Sequence, residues 1–312
     1  MAKILVSEKV HPCGPALLEQ AGHEVIYLER REQRELAEKL KDADGLFVRV
    51  MDITPEMLEE AHRLKIISKH GVGVDNIPME AAKKRGIAVT ITPGANSQAV
   101  AEHTFALLMA LAKNLVPVSD AYRTIGFEAK NYPEGAELEG KILGVIGCGR
   151  IGSRVAKMGL GGFDMEVLVY DPYLEAVPKG CQKVEALMDL VRRSDAITLH
   201  APLSQETHHM ISKEILTAMK PTAYLINCAR GPMVDEEALI QALKAGALAG
   251  AGLDVTEMEP ANPENPLFHM ANVILTPHYA PATLDTAMKV STIGCQNLVD
   301  FFAGLEPAGR LL

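Results

Sequence analysis

The 312-residue chain is predicted to fold as an α/β protein of two open, parallel-sheet modules. Three observations predict this. Short β-branched runs alternate with helical segments from one end of the chain to the other. The runs are near-continuous in apolar character, as in parallel strands covered on both faces. The length suits two domains of roughly 100–200 residues each.

The first strand series reads Lys3–Val6, Glu24–Leu28, Gly45–Val50, Leu64–Ser68 and Ile87–Thr92, with helical patterns at Arg30–Lys41, Pro55–Ala61 and Met79–Arg85. The second begins after Gly140: Ile142–Ile146, Glu166–Tyr170, Ala196–Leu199, Ala223–Asn227, Gly250–Val255 and Val273–Leu275. Its helices are Ile151–Leu160, Val184–Arg192, Lys213–Met219 and Asp235–Ala245. The stretch Ile125–Glu139, rich in Gly, Pro and charge, reads as a loop joining the modules. Two longer helical patterns, Gln98–Lys113 and Thr283–Ala303, fit neither series neatly. If the second returns to the first module, residues 1–97 and 284–312 form one discontinuous domain around a nucleotide-binding domain at 98–283.

With 48% hydrophobic and 23% charged residues, the composition is that of a globular protein. The 31 basic and 40 acidic side chains give a net charge of -9, which argues against nucleic acid as a partner because phosphate binding needs a positive face. The apolar run Phe105–Ala112 is far short of the roughly 20 residues that span a membrane, so no membrane partner is expected. The N-terminus turns polar too soon for a secretory signal. Cys13, Cys148, Cys181, Cys228 and Cys295 form no CxxC pair and read as reduced thiols in a cytoplasmic protein.

Gly147-Cys148-Gly149-Arg150-Ile151-Gly152 is a G-x-G-x-x-G, weak evidence alone. Here it follows a strand, opens a helix, and is trailed by Asp171 at the end of the next strand, which completes a dinucleotide-binding fingerprint. Gly147 permits the turn, Gly149 lets backbone amides reach a pyrophosphate, and Gly152 lets helix and strand pack closely. The helix N-terminus adds favourable potential for the phosphates. Asp171 suits a ribose diol and repels a 2′-phosphate, so NAD is expected over NADP.

Arg230, Glu259 and His278 each follow a predicted strand of the second series. Groups beyond the carboxyl ends of parallel strands converge on a ligand. The guanidinium can grip a carboxylate, the imidazole can exchange a proton, and the carboxylate can orient that imidazole and raise its pKa. Single residues of these types are more often surface or satisfied core; their shared strand-end placement beside the fingerprint favours a site. Glu257 competes with Glu259 on sequence alone. The His208-His209 pair lacks HExxH spacing and any Cys/His cluster, so no metal site is expected.

The chain resembles the D-isomer-specific 2-hydroxyacid dehydrogenase family, and within it the phosphoglycerate dehydrogenases without a regulatory tail. The likeness is carried by GVGVDN at 71–76, VAEHT at 100–104, GVIGCGRIG at 144–152, VYDPY at 169–173 and DAITLHAPL at 195–203. It continues through ETHHMI at 206–211, LINCARGPMVDEEAL at 225–239, GAGLDVTEMEP at 250–260 and LTPH at 275–278.

The resemblance implies two Rossmann-like or flavodoxin-like modules around a cleft, hinge closure over substrate, and a homodimer built mainly on the cofactor module. It implies that Arg230 binds the substrate carboxylate and polarises the carbonyl, that His278 is the acid/base, and that Glu259, the acid before Pro260, is its partner. It places Arg150 and Ile151 at the phosphates, Asp254 at the nicotinamide carboxamide and Cys228–Ala229 along the cofactor. His200, Ala201 and Pro202 would border adenine, with Thr207 nearby. On the substrate side it implies backbone donation from Val72 and Gly73, and Asn96 near the cleft.

Arg49 and Lys69 follow strands of the first module and could form a cationic pocket for a second anionic group, or be solvated strand-end charges. An arginine near Arg49 contacts substrate in phosphoglycerate dehydrogenases, which favours the pocket. The expected activity is therefore NAD-dependent turnover of a small D-2-hydroxyacid, with 3-phosphoglycerate as leading candidate. A glyoxylate or hydroxypyruvate reductase, or an NAD(H)-sensing corepressor-like scaffold, are the rivals. Tyr279, Pro281 and Thr256 depart from the family pattern and bear on substrate preference.

Overall fold

A computed structural model describes all residues from Met1 to Leu312. The chain divides into two compact units, one of residues 1–96 and 282–312, the other of residues 97–281.

The first unit holds β1 (Lys3–Val6), β2 (Glu24–Tyr27), β3 (Gly45–Val48), β4 (Ile66–Lys69) and β5 (Ala88–Thr90) in the order β2-β1-β3-β4-β5. All pairs are parallel, with Ile4 opposite Val25 and Gly45. Leu5, Leu46, Val48, Ile67 and Val89 pack on one face with Leu36 and Leu58. Ile4, Val6, Phe47 and Ile66 pack on the other with Leu18, Cys295 and Leu298. Alternate residues of each strand thus enter opposite cores, which is why the strands read as unbroken apolar runs.

Helix Leu284–Phe302 covers this second face and makes the unit discontinuous. It sits tightly: a Cβ on Gly294 would lie 2.4 Å from Phe47 Cε2, and Ser68 Oγ donates to Gly294 O at 2.7 Å.

The second unit holds β6 (Ile142–Ile146), β7 (Glu166–Tyr170), β8 (Gln182–Lys183), β9 (Ala196–Leu199), β10 (Tyr224–Asn227), β11 (Gly250–Leu253) and β12 (Val273–Leu275). Their order is β12-β11-β10-β9-β6-β7-β8, all parallel. The strand order reverses between β6 and β9, the switch point at which doubly wound sheets bind ligands. Helices Ser97–Ala112 and Gly152–Gly162 cover one face through Phe105, Leu108 and Val155. Helices Leu187–Arg193, Lys213–Ala218 and Glu236–Lys244 cover the other through Leu190, Leu216 and Leu239.

Several elements differ from the sequence expectation. Helix Cys13–Gln20 adds an element between β1 and β2, with Pro15 in its first turn, where proline is tolerated. Helix Leu115–Ile125 adds an element past the Gln98–Lys113 pattern, and it buries none of its residues in this chain. The joining segment is not all loop, since Gly126–Asn131 forms a 3-10 turn. The two-residue β8 is too short to carry a pattern. No single helix is long and apolar enough to cross a membrane.

Candidate active site

The glycine-rich turn lies at the switch point of the second unit. Gly147 has φ +82°, and a Cβ there would lie 2.6 Å from the Ala201 nitrogen. A Cβ on Gly152 would lie 2.0 Å from Gly147 O. Both positions thus require glycine for the fold itself. Gly149 differs, because nothing lies within 4 Å of a Cβ added there. The fold does not require glycine at 149; a ligand approaching the exposed loop would.

Asp171 directly follows β7 and accepts from Cys148 N at 2.9 Å and from Tyr173 N at 3.0 Å, so its carboxylate is tied to the turn. His200, after β9, has both ring nitrogens buried without a partner, and burial holds its pKa down to about 3. Its backbone and that of Ala201 form the floor under Gly147. Thr207 folds its own loop, accepting from Ser204 N at 2.8 Å and donating to Pro202 O at 2.7 Å. Cys228 has its thiol pushed up to about 12 by burial, which rules it out as a nucleophile near neutral pH. An open amide cradle and an orphaned buried histidine at a sheet switch point fit a dinucleotide.

The three chemical residues stand beyond adjacent strands. Arg230 follows β10, Glu259 follows β11 and His278 follows β12. His278 Nδ1 is 3.0 Å from Glu259 Oε2. This bond is the largest cause holding the His278 pKa above 6.5; burial and the Arg230 charge oppose it. Arg230 Nη1 donates to Ala229 O at 2.7 Å. Asn227 shapes the turn before it, accepting from Ala229 N and donating to Arg230 O, both at 2.9 Å.

His278 has φ +53°, a left-handed backbone that costs roughly 1 kcal/mol or more for a non-glycine residue. Asp254 holds it there. Its buried carboxylate accepts from Tyr279 N at 2.7 Å, Ala280 N at 2.9 Å and Thr276 Oγ1 at 2.5 Å, and Asp254 O accepts from His278 N at 2.7 Å. His103 Nε2 closes the network, 3.0 Å from Thr276 Oγ1. Asn227, Thr276 and His103 were not singled out from sequence, because only the sheet brings them to these loops.

Glu257 has a separate environment. It meets His209 Nε2 at 2.7 Å and accepts from Glu236 N at 3.1 Å, while its own N–H donates to Glu236 Oε2 at 3.0 Å. His209 therefore pairs with a carboxylate; no metal-ligating cluster is present. Thr256 lies beyond β11, with its hydroxyl donating to Met258 O at 2.7 Å.

In the first unit, Arg49 is exposed just past β3, and its guanidinium makes no hydrogen bond or ion pair. Lys69 ends β4 and is buried; its ammonium donates to Arg49 O and to Asn76 Oδ1. The Val72 and Gly73 amides donate to nothing within this unit, and Asn96 Oδ1 is buried without a partner.

The description "D-isomer specific 2-hydroxyacid dehydrogenase, NAD binding domain" matches residues 105–280. A D-3-phosphoglycerate dehydrogenase of Methanocaldococcus jannaschii is 41% identical over 308 residues, covering 97% of this chain and 58% of that protein. A glyoxylate reductase of Thermofilum pendens is 39% identical, covering 98% of this chain and 93% of that one. An acyclic imino acid reductase solved with NADPH and D-Arg aligns with TM-score 0.88 at 31% identity, covering 99% of this chain and all of its own. The chain spans little more than half of the archaeal phosphoglycerate dehydrogenase but nearly all of the glyoxylate reductase. This chain belongs to the D-isomer-specific 2-hydroxyacid dehydrogenases, with a nicotinamide-cofactor-binding domain of Rossmann topology.

Proposed function

We propose that this chain is an NAD-dependent oxidoreductase that interconverts a small D-2-hydroxyacid and its 2-oxoacid, with 3-phosphoglycerate as leading substrate. The observation that carries this reading is the 3.0 Å His278–Glu259 contact, placed beyond β12 and β11, next in the sheet to β10, after which Arg230 follows.

Gly147, Gly149, Arg150, Ile151 and Gly152 hold the cofactor phosphates, and Asp171 the adenosine ribose. Ala201, Pro202 and Thr207 border the adenine, with Cys228, Ala229 and Asp254 towards the nicotinamide. When bound, the cofactor supplies or accepts the hydride at the substrate C2. Arg230 binds the carboxylate and polarises the carbonyl. His278, its Nδ1 engaged by Glu259, presents Nε2 to the substrate oxygen: as imidazolium it donates a proton there in reduction, and as neutral imidazole it accepts one in oxidation. Asp171 supports NAD over NADP, since a carboxylate at the end of β7 repels a 2′-phosphate.

On the first unit, the free Val72 and Gly73 amides suit a carboxylate, with Asn96 close by, and the Arg49 guanidinium suits a second anion. Lys69 contributes by fixing the Arg49 backbone. The exposed, unpaired Arg49 favours a two-anion substrate; the near-complete coverage of a glyoxylate reductase favours a one-anion oxoacid. A homodimer built on the cofactor unit and a cytoplasmic setting complete the reading.

Steady-state assays decide. 3-Phosphoglycerate, D-glycerate, D-lactate and their oxoacids, each with NAD(H) and NADP(H), should give highest kcat/KM for the phosphorylated pair with NAD(H). No turnover of any 2-oxoacid would leave the scaffold reading.

A further inference from the structure

The first sheet also has a switch point, between β1 and β3, where its strand order reverses. Such crevices ordinarily take a ligand at the carboxyl ends of the strands. This one is filled by the chain's own Glu8, two residues past β1.

The Glu8 side chain is only 4% exposed. Its carboxylate accepts from three successive amides beyond β3: Arg49 N and Val50 N at 2.8 Å and Met51 N at 3.2 Å. Ser7 Oγ adds a bond at 2.5 Å, and Arg31 Nη2 stands 3.5 Å away. The same loop is held from its other side. Lys69 donates to Arg49 O, Asn76 Nδ2 donates to Met51 O at 2.7 Å, and Ile53 N donates to Asn76 O at 2.9 Å. The backbone of 49–51 is thus gripped on donors and acceptors alike, while the Arg49 guanidinium is left outside with no partner.

The nearby His70 does not compete for an anion, because burial first and the Arg49 charge second lower its pKa to about 4. Nor does Glu8 neutralise the guanidinium by a direct bond, since it takes the Arg49 amide instead. The arrangement binds by preorganisation: a flexible side chain is presented from a backbone fixed before ligand arrives.

We propose that Glu8 is a positioning residue for anion selectivity, clamping residues 49–51 so that Arg49 meets the second, tetrahedral anionic group of a phosphorylated D-2-hydroxyacid. The proposal rests on the two-anion reading above. It adds that the strength of Arg49 is set by a buried carboxylate that never touches substrate.

The test uses the full chain and the ratio of kcat/KM for 3-phosphoglycerate to that for D-glycerate, with the paired oxoacids in the reverse direction. Arg49→Ala should lower the ratio about tenfold or more, the scale of one lost charge-assisted contact. Glu8→Gln, which keeps the shape but turns a donor towards amides that need acceptors, should lower it several-fold. That loss should appear as KM for the phosphorylated acid with kcat nearly constant. In the Arg49→Ala background, Glu8→Gln should change the ratio no further, because the two act on one contact. If Glu8→Gln does not fold, Glu8→Asp, which withdraws the carboxylate by one methylene, takes the same comparison.

A Glu8 variant that slows both acids equally, or lowers the ratio just as much without Arg49, overturns the clamp while leaving the two-anion reading intact. A wild-type chain with no preference for the phosphorylated acid, or an Arg49→Ala variant with an unchanged ratio, overturns both.

Discussion

The two sheets solve the same geometric problem in opposite ways. Each is parallel and doubly wound, and each opens at a point where strand order reverses. In the second unit the opening is kept clear. Gly149 has vacant space where a Cβ would go, and although Asp171 takes the Cys148 amide, the Gly149, Arg150 and Ile151 amides donate to nothing within the unit. In the first unit the amides beyond β3 are already taken by Glu8. A backbone crevice left open by glycine recruits a cofactor; one filled by a carboxylate becomes a rigid mount for a side chain. Topology therefore predicts where a ligand group gathers, and side chains decide whether backbone or side chain receives it.

If chemistry belongs to the second unit and selection to the first, the largest effect comes from His278→Gln. It should lower kcat about 10³-fold for phosphorylated and unphosphorylated acids alike, because both share the carbonyl it serves. NADH binding, read by nicotinamide fluorescence, should be unchanged. A shift in acid preference would break the division of labour.

Glu259→Gln should cost about 10²-fold in kcat and also move the pH profile. In the parent, the Glu259 bond raises the His278 pKa, so the imidazolium form survives to higher pH than in a free histidine. Reduction should therefore fall as pH rises through that raised value, and oxidation should rise. Without the carboxylate both midpoints move to lower pH. A profile that stays in place assigns the titration to another group.

The glycines of the open crevice separate fold from function. Gly152→Ala forces a Cβ to within 2.0 Å of Gly147 O and should destabilise by roughly 1–3 kcal/mol, read as a lower Tm. Gly149→Ala should leave Tm unchanged but weaken cofactor binding about tenfold, the scale of one lost charge-assisted contact. Loss of Tm at 149 would mean that the loop is structural after all.

The smallest effect is expected at Asp171. Replacing it with Asn removes a partly exposed charge worth about 1 kcal/mol, so relative use of NADP should rise about fivefold in kcat/KM. The Asn oxygen can still accept from the Cys148 amide that ties it to the glycine turn, while the Tyr173 amide loses its acceptor.

Much of the fold was legible because parallel strands buried on two faces must be apolar throughout. Ile142–Ile146, Glu166–Tyr170 and Ala196–Leu199 occupy the spans their composition marks. Pattern and burial part company at helix Leu115–Ile125, whose Leu115, Val116, Tyr122 and Ile125 are apolar yet exposed in this chain. Gly147, Gly152 and Asp171 were legible because turn geometry restricts their type within a short stretch of chain. Glu8, His103 and Thr276 were not, since an isolated Glu, His or Thr has many ordinary uses.

The amino-acid sequence by itself determined the alternation of strands and helices, the glycine-rich turn and the residue types of the proposed acid/base site. These depend on local periodicity and backbone conformation, which neighbours in sequence control. Only the tertiary structure decided that Glu257 is turned to His209 while Glu259 meets His278, and that Asp254 fixes the His278 backbone. It also decided that Glu8 grips the loop bearing Arg49, 41 residues away. Those partnerships join loops from different strands, and hydrogen bonds between such loops exist only once the sheet has set their spacing.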